Sequence, residues 1–210
     1  MKKLFFLIVV AAAVWAYFNL LAPIKYPSGI LIPTEPDQLM VSKAIDPVHK
    51  GPFTLRLVAE YTIDARVLHL KRYWSGEIAK FAPYDLAVGW GPMSDQSVLD
   101  RLTITQGNRF FFWEYEGQSP IPEKEIISHS ANMHLIPASF FVRNQIAWLR
   151  RGELVRLKGY LVEVTAPGMI PWRSSMSRSD TGNGACEIMW VQSVEKLKPV
   201  EEKPVAGEKR

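Results

Sequence analysis

The chain opens with an apolar segment that carries no charge. Lys2 and Lys3 precede residues 4–21, and eleven of these eighteen residues are Leu, Ile, Phe or Val. At about 1.5 Å per residue, a helix over this segment is about 27 Å long, close to the roughly 30 Å hydrocarbon core of a bilayer. The pattern predicts a transmembrane helix within residues 1–22, and the two lysines place its N-terminus in the cytoplasm.

A cleaved signal sequence is the alternative for the same segment. Small residues at 11–13 and at Ala16 resemble a cleavage site. The apolar run continues beyond both positions to Leu21, and Trp15 and Tyr17 suit a membrane interface. We therefore favour an uncleaved, single-pass anchor that contacts the lipid bilayer through residues 4–21.

The segment after the anchor has no sustained periodicity. Residues 23–51 contain five prolines, which indicates an extended stalk or a strapping segment. Residues 52–198 carry the periodic patterns and form the predicted domain. The charged tail over residues 199–210 is expected to be disordered.

Alternation of apolar and polar residues predicts the clearest strand. Apolar residues occupy every second position from Phe53 to Ile63, and only Val58 interrupts the polar positions between them. This period of two is typical of a strand with one buried face. Residues 67–74 continue it, either as the same strand or as its partner. Two further strands are predicted over residues 109–115 and 153–164.

A period near 3.6 predicts one main helix. Val142, Ile146 and Leu149 lie on one face of a helix that begins after Pro137. The two arginines and the glycine at residues 150–152 are typical of a helix end.

Two local signals predict smaller elements. Ser94 or Asp95 is placed to cap a short helix that runs through Leu102. Gly182-Asn183-Gly184 predicts a β-hairpin, because Asn-Gly tolerates the positive φ angles of a type I′ turn. The strands of this hairpin would cover residues 172–178 and 186–197.

The order of the predicted elements indicates the fold class. Five or more strands with one main helix before the fourth are typical of a small barrel. We expect a β-rich α+β domain built as a small OB or SH3-like barrel, preceded by the single N-terminal transmembrane helix.

Charge and cysteine content narrow the possible partners. The chain has 25 basic and 21 acidic residues, and since Lys2 and Lys3 belong to the anchor, the remainder carries 23 minus 21, or +2. This small excess does not require a basic stripe for phosphates, so nucleic acid is not favoured as a partner. The single cysteine, Cys186, precludes an internal disulfide, and packing must stabilise the fold.

The densest polar segment runs from Ser128 to His134. A hydrolase would use His129 or His134 as a general base with Ser130 or Cys186 as the nucleophile. The two histidines are five residues apart, which is not the i, i+4 spacing of a helical metal site, and we expect neither a metal nor a cofactor. We favour the alternative that these groups satisfy the backbone of an ordered loop and that Cys186 is a small buried residue.

Two arginines mark a second candidate region. Arg173 and Arg178 lie among hydroxyl side chains such as Ser174, and their planar guanidinium groups suit a small anion. Asp180-Thr181-Gly182 also matches the aspartic-protease tripeptide, but those enzymes need two such carboxylates. The hairpin explains the same residues with fewer assumptions.

A third candidate region is the predicted loop over residues 84–95. Trp90 lies between two glycines, and Asp95 lies near the end of the loop. Trp90 would either pack on a ligand or close one end of the barrel as part of the core.

Three segments are distinctive when they are taken together. They are residues 89–95 (Gly-Trp-Gly-Pro-Met-Ser-Asp), 129–137 (His-Ser-Ala-Asn-Met-His-Leu-Ile-Pro) and 172–175 (Trp-Arg-Ser-Ser). In these segments the chain resembles an uncharacterised group of membrane-anchored proteins of Gram-negative bacteria, over about Tyr61 to Val194. The resemblance implies an inner-membrane protein with a periplasmic domain in which the three segments form one surface, and it implies no activity.

These observations lead to one expected function and two alternatives. We expect a membrane-tethered, extracytoplasmic binding or assembly module, with a small anion as ligand and a membrane protein as a further partner. The alternatives are a periplasmic hydrolase and an OB-like nucleic-acid-binding domain. The expected ligand-binding residues are Trp90, Asp95, His129, Asn132, His134, Arg173, Ser174 and Arg178.

Overall fold

The computed structural model describes most of the chain. It covers residues 2–43, 45–178, 180, 182 and 184–199, and within the first helix the side chains of residues 2, 13 and 16–21 are outside the description. The fold is α+β and strand-rich, as predicted, with a mixed sheet. The helices are α1 (Lys2–Leu21), α2 (Glu77–Phe81), α3 (Gln96–Leu99), α4 (Glu123–Ser128), α5 (Phe140–Ala147) and a 3-10 helix over Gly91–Ser94. The strands are β1 (Asp37–Met40), β2 (Val48–Lys50), β3 (Phe53–Arg72), β4 (Tyr84–Gly89), β5 (Thr103–Gly107), β6 (Phe110–Glu114), β7 (Ser130–Pro137), β8 (Leu154–Thr165), β9 (Trp172–Arg173) and β10 (Glu187–Leu197).

Five strands of the main sheet pair in a circuit. β3 pairs with β4, β4 with β7, β7 with β10, β10 with β8, and β8 again with β3. The β7–β10 pair is parallel and the other four pairs are antiparallel. Strands β1 and β2 extend the sheet alongside β3, β9 pairs with β8, and β5 and β6 form a separate hairpin.

The length of β3 makes this circuit possible. Its residues Thr54–Arg66 pair with β8, whereas Arg66–Arg72 pair with β4. The predicted alternation is confirmed, because the apolar positions from Phe53 to Ile63 are all buried. The second predicted segment is confirmed as a continuation of the same strand. Val58, which interrupts the polar face, lies at a register shift between Leu57 and Ala59.

Strands β4 and β7 are buried on both faces. Leu86 and Val88 of β4 belong to the central core, whereas Ala87 faces a second apolar cluster. This cluster is contributed mainly by the long insertion between the two strands, which contains α3, the β5–β6 hairpin and α4. The predicted loop over residues 84–95 is wrong for β4, and the predicted ordered loop over residues 128–134 is wrong for β7. A strand covered on both sides does not alternate between apolar and polar residues.

The predicted main helix and short helix are both present. Val142, Ile146 and Leu149 are buried as expected of one helical face, and Ser139 caps α5 by accepting a hydrogen bond from the Val142 amide at 3.2 Å. Asp95 caps α3 by accepting from the Ser97 amide at 2.8 Å. Local sequence signals therefore predicted both helices but not their ends, because α5 ends at Ala147 rather than at residues 150–152 and α3 ends at Leu99 rather than Leu102.

The predicted C-terminal hairpin is wrong. β9 pairs with β8, and β10 pairs with β7 and β8, so the two expected partners do not pair with each other. Turn residues 181 and 183 lie outside the described residues, as does the predicted disordered tail apart from Pro199. Instead of pairing with the preceding strand β9, β10 forms a long-range parallel pair with β7.

The proline-rich segment straps the domain. The Ile24 amide donates to the Arg151 carbonyl oxygen at 2.9 Å, and the Leu31 and Ile32 amides both donate to Ser94 Oγ at 3.0 Å. Arg66 is buried beneath the strap and donates to the carbonyl oxygens of Ser94 and Ile24 at 3.0 and 3.2 Å. The chain is thus fastened to the domain immediately after α1.

Helix α1 presents its apolar side chains outward. From Leu4 to Val10 the side chains are 41–71% exposed. Among the described residues, no helix has both the length and the hydropathy of a membrane span.

Gly159 allows β8 and β10 to approach closely. A Cβ atom at this position would overlap the Trp190 carbonyl oxygen. We expect Gly159→Ala to lower the free energy of unfolding by about 2 kcal/mol or more, because the β8–β10 backbones must separate. Equilibrium urea unfolding of the detergent-solubilised chain measures this change.

Gly107→Ala is the matched control, because a Cβ atom there meets nothing within 4 Å. An equal loss of stability in the two variants would contradict the close approach at Gly159.

Candidate functional site

A cleft opens between the β5–β6 hairpin and the chain that leads into β10. Its volume is about 220 Å³. One wall is aromatic, with Phe110, Phe111 and Trp113 of β6. The rest of the lining is mixed, and its polar side chains include Asn132, Arg178, Asp180, Cys186 and Glu187. We call this site the aromatic cleft.

Arg109 fixes the aromatic wall to the sheet. Asn108 and Arg109 form the β5–β6 turn with φ angles of 51° and 70°. The Arg109 guanidinium reaches β4, where Nη1 donates to Asp85 Oδ1 at 2.7 Å and to the Ala82 carbonyl oxygen at 3.0 Å. It also lies 3.8 Å from the centre of the Tyr73 ring. Because Asp85 is fully buried, this ion pair holds the hairpin in one position.

Asn132 joins the hairpin to the floor of the cleft. Its Nδ2 donates to the Arg109 carbonyl oxygen at 2.9 Å, and its Oδ1 accepts from Gln106 Nε2 at 2.5 Å. Nδ2 also lies 3.6 Å from Cys186 Sγ. These contacts use both ends of the amide, so Asn132 positions the cleft walls.

The segment before β10 is organised by Ser175. Ser175 Oγ contacts Asp180 Oδ2 at 2.6 Å and accepts from the Ser177 amide at 3.0 Å. The Ser175 amide donates to the Cys186 carbonyl oxygen at 3.0 Å. This turn presents Arg178 and Asp180 at the edge of the cleft.

Glu187 is the least satisfied polar group of the cleft. It is 4% exposed, and its Oε2 has no hydrogen-bond partner within the described part of the chain. Burial raises the pKa of Glu187 to about 8, although the nearby Arg178 opposes the shift. At neutral pH the side chain is therefore mainly a neutral carboxylic acid, which can donate a hydrogen bond.

One further polar atom beside Glu187 is unpaired among the described residues. Arg178 Nη2 donates to Gln38 Oε1 at 3.2 Å, but its buried Nε has no partner there. The Arg178 guanidinium also lies 5.5 Å from the centre of the Tyr61 ring and interacts with the buried Tyr61 hydroxyl. Burial raises the pKa of Tyr61 above its ordinary value, so this hydroxyl stays protonated. Buried polar atoms without partners are uncommon and indicate a ligand or ordered water.

The predicted nucleophiles are held in unreactive settings. Burial raises the pKa of Cys186 to about 11, so its thiol is neutral at physiological pH. Ser130 Oγ donates to the Ile126 carbonyl oxygen at 2.5 Å. His129 Nδ1 lies 3.0 Å from the Glu125 carbonyl oxygen at the end of α4. A hydroxyl does lie near this ring, but it belongs to Ser128, whose Oγ is 3.1 Å from His129 Nδ1, and not to the predicted Ser130.

His134 belongs to a buried cross-strand pair. It lies opposite Asp85 in the β4–β7 register, and its Nδ1 is 2.8 Å from Asp85 Oδ1. Its ring lies 4.7 Å from the Trp172 ring, centre to centre, and the residue is 3% exposed. His134 and Arg109 therefore share one oxygen of Asp85, Oδ1, in the packed interior.

Trp90 and Asp95 also have structural positions. Trp90 is fully buried in the central core, in agreement with a ring that closes the domain. The glycines on each side allow close packing, because Cβ atoms at Gly89 and Gly91 would lie 2.5 Å from atoms of Met93 and His129. Asp95 caps α3 and accepts from the Gly29 amide of the strap at 3.0 Å.

Arg173 and Ser174 lie on β9 and after it. Arg173 is exposed, and its Nε donates to Glu163 Oε2 at 3.1 Å. Ser174 Oγ accepts from the Ile188 amide at 3.0 Å. Of the eight predicted binding residues, Asn132 and Arg178 line the aromatic cleft.

The sequence did not predict the burial of Glu187, nor the contacts of Asp85 with both Arg109 and His134. A single acidic residue at the start of a strand carries no local signal of burial. The aromatic run over residues 110–113 did signal an unusual strand. No cluster of three or more His, Cys, Asp or Glu residues that could hold a metal ion occurs within the described ranges.

Comparisons with protein-family models, curated proteins and solved structures found no match. The resemblance of the three sequence segments to a group of membrane-anchored proteins stays a prediction.

Glu187 should make stability depend on pH. Its pKa is about 8 in the folded chain and about 4.3 in an unfolded one. Folding then retains a proton that the unfolded chain releases, so the free energy of unfolding falls as pH rises from about 5 to 8. We expect the free energy of unfolding of Glu187→Gln to equal that of the parent at pH 5. At pH 8.5 it should exceed the parent's value by an amount on the order of a few kcal/mol. Urea unfolding at the two pH values measures this difference.

Glu195→Gln provides the control, because Glu195 is an exposed acid on the same strand. This substitution should leave the pH dependence of the free energy of unfolding unchanged. A Glu187→Gln variant that keeps the parental pH dependence would show that Glu187 is ionised in the folded chain.

Proposed function

We propose that the chain is a membrane-tethered binding module whose aromatic cleft takes a small ligand outside the cytoplasm. The observation that carries the proposal is Glu187, a buried acid in the cleft with an unpaired oxygen. Arg178 lies nearby and also retains an unpaired donor among the described residues. A cleft with unpaired polar groups on one side and aromatic rings on the other has the usual form of a ligand pocket.

The cleft chemistry defines a ligand class. A protonated Glu187 and the Arg178 guanidinium both donate hydrogen bonds, so the complementary group is an acceptor-rich anion such as a carboxylate. The rings of Phe110, Phe111 and Trp113 suit a flat apolar body. A volume of about 220 Å³ is below that of most drug-sized sites, which favours a small aryl acid or the end group of a larger molecule.

An OB-like barrel is part of the proposal. The circuit of five strand pairs, with α5 between β7 and β8, supports it. OB barrels bind ligands on the outer face of their second and third strands and with adjoining loops. The corresponding strands here are β4 and β7, and the insertion between them covers that face. The aromatic cleft lies at the rim of this insertion, where a short ligand fits better than a nucleic-acid strand.

An inner-membrane anchor and a periplasmic domain complete the proposal. The eighteen uncharged residues over 4–21 and the helical backbone of α1 support a membrane-spanning role. The outward-facing apolar side chains of α1 need an apolar environment. Lys2 and Lys3 support an N-terminus in the cytoplasm.

A binding experiment tests the ligand class. We expect the full chain in lipid nanodiscs to bind benzoate at pH 7 with a Kd on the order of 1 mM, measured by saturation-transfer NMR. Arg178→Ala should weaken binding about 10-fold or more, because it removes a charged hydrogen-bond donor. Arg173→Ala is the matched control, since Arg173 is exposed on β9, and it should leave the Kd unchanged. Equal effects of the two substitutions would contradict binding in the aromatic cleft.

A topology experiment tests the anchor. Alkaline phosphatase fused after Arg210 should be active in cells, because this enzyme needs disulfides that form outside the cytoplasm. A fluorescent protein that folds only in the cytoplasm should be dark in the same position. The reverse result would place the domain inside the cell and remove the tethering proposal.

A further inference from the structure

Helix α5 has an exposed aromatic face in addition to its buried one. Val142, Ile146 and Leu149 are buried against the core. On the opposite side, Phe140 and Trp148 are each 76% exposed and Phe141 is 70% exposed. Three large aromatic side chains exposed on one short helix form a surface that packing within the domain does not explain.

The Trp148 end of this face lies near the point where the chain leaves α1. α1 ends at Leu21, and the Ile24 amide donates to the carbonyl oxygen of Arg151 at 2.9 Å. Three residues span at most about 10 Å. The end of α5 and the turn after it are therefore held beside the end of α1.

Packing fixes this position. Gly152 has a φ of 91°, and a Cβ atom there would overlap the Ile24 backbone. The buried Arg66 donates to the Ile24 carbonyl oxygen at 3.2 Å. The junction between α1 and the domain is thus held from two sides.

Basic residues surround the aromatic face. Arg143 and Arg151 are exposed beside it. Lys25 is on the same junction and pairs with Asp100 at 2.8 Å. Aromatic rings combined with arginines are typical of protein surfaces at the headgroup level of a membrane, where anionic lipids attract the cations.

We infer that Phe140, Phe141, Arg143, Trp148 and Arg151, here called the α5 surface, rest on the outer leaflet of the bilayer that holds α1. The aromatic rings enter the headgroup region and the arginines contact anionic phospholipids. This inference depends on the proposed membrane anchor. It adds that the domain lies against the membrane in one orientation rather than projecting freely from it.

Spin-label quenching in proteoliposomes tests the inference. The full chain is reconstituted with phosphatidylcholine and phosphatidylglycerol, and a fluorophore is attached at Asn144→Cys, an exposed α5 position that keeps the aromatic residues intact. We expect lipids with spin-labelled headgroups to quench this fluorophore at least about twofold. The parent chain, whose single cysteine is partly buried and protonated, gives the labelling background.

Ile170→Cys is the matched control position. Ile170 is 87% exposed and follows β8, whose other end begins beside the junction, so its label should not be quenched. Phe141→Ser together with Trp148→Ser should lower quenching at position 144 to the level at position 170. Replacing phosphatidylglycerol by phosphatidylcholine should weaken quenching at position 144.

A third label separates this inference from the anchor. A fluorophore at Leu7→Cys should be quenched by lipids spin-labelled deep in the acyl chain. Quenching at position 7 without quenching at position 144 would overturn docking, keep the anchor and leave the α5 surface to a protein partner. Absence of quenching at position 7 would overturn the anchor itself.

Discussion

The domain depends on the double pairing of β3. This strand of 20 residues pairs with β8 along its first part and with β4 along its last part, so one segment joins both sides of the sheet. Register shifts after Leu57 and Val67 bend the strand between the two partners. Without this curvature the circuit of pairings would remain open and the central core, which includes Tyr61 and Trp90, would lose one boundary.

Elements with one buried face were predictable from sequence, and elements with two buried faces were not. The alternation in β3 and the stripe of α5 reflect contact with a single core, which is why both were predicted. β4 and β7 are covered by the central core on one face and by the insertion on the other. Their sequences therefore do not alternate, and they resemble loops with large side chains. The hairpin signal at residues 182–184 failed because a long-range parallel pairing with β7 determines the position of β10. No local pattern reports such a pairing.

The same distinction applies to the candidate site. Asn132 and Arg178 were found because polar residues are conspicuous in sequence, whereas burial of Glu187 arises only when distant strands meet. The dense polar segment before Pro137 has a structural explanation, since the outer face of β7 places His134 opposite Asp85. Arg109 then completes this pair and fixes the aromatic hairpin. A polar network inside the fold thereby shapes the cleft.

Because Ile24 is hydrogen-bonded to Arg151, only residues 22 and 23 link α1 to the folded body. So short a connection keeps the end of α1 within about 10 Å of the folded body. The ligand proposed for the aromatic cleft would therefore bind at a limited distance from α1, and a force on α1 would reach the β3–β8 pair through the contacts of Ile24 with Arg66 and Gly152.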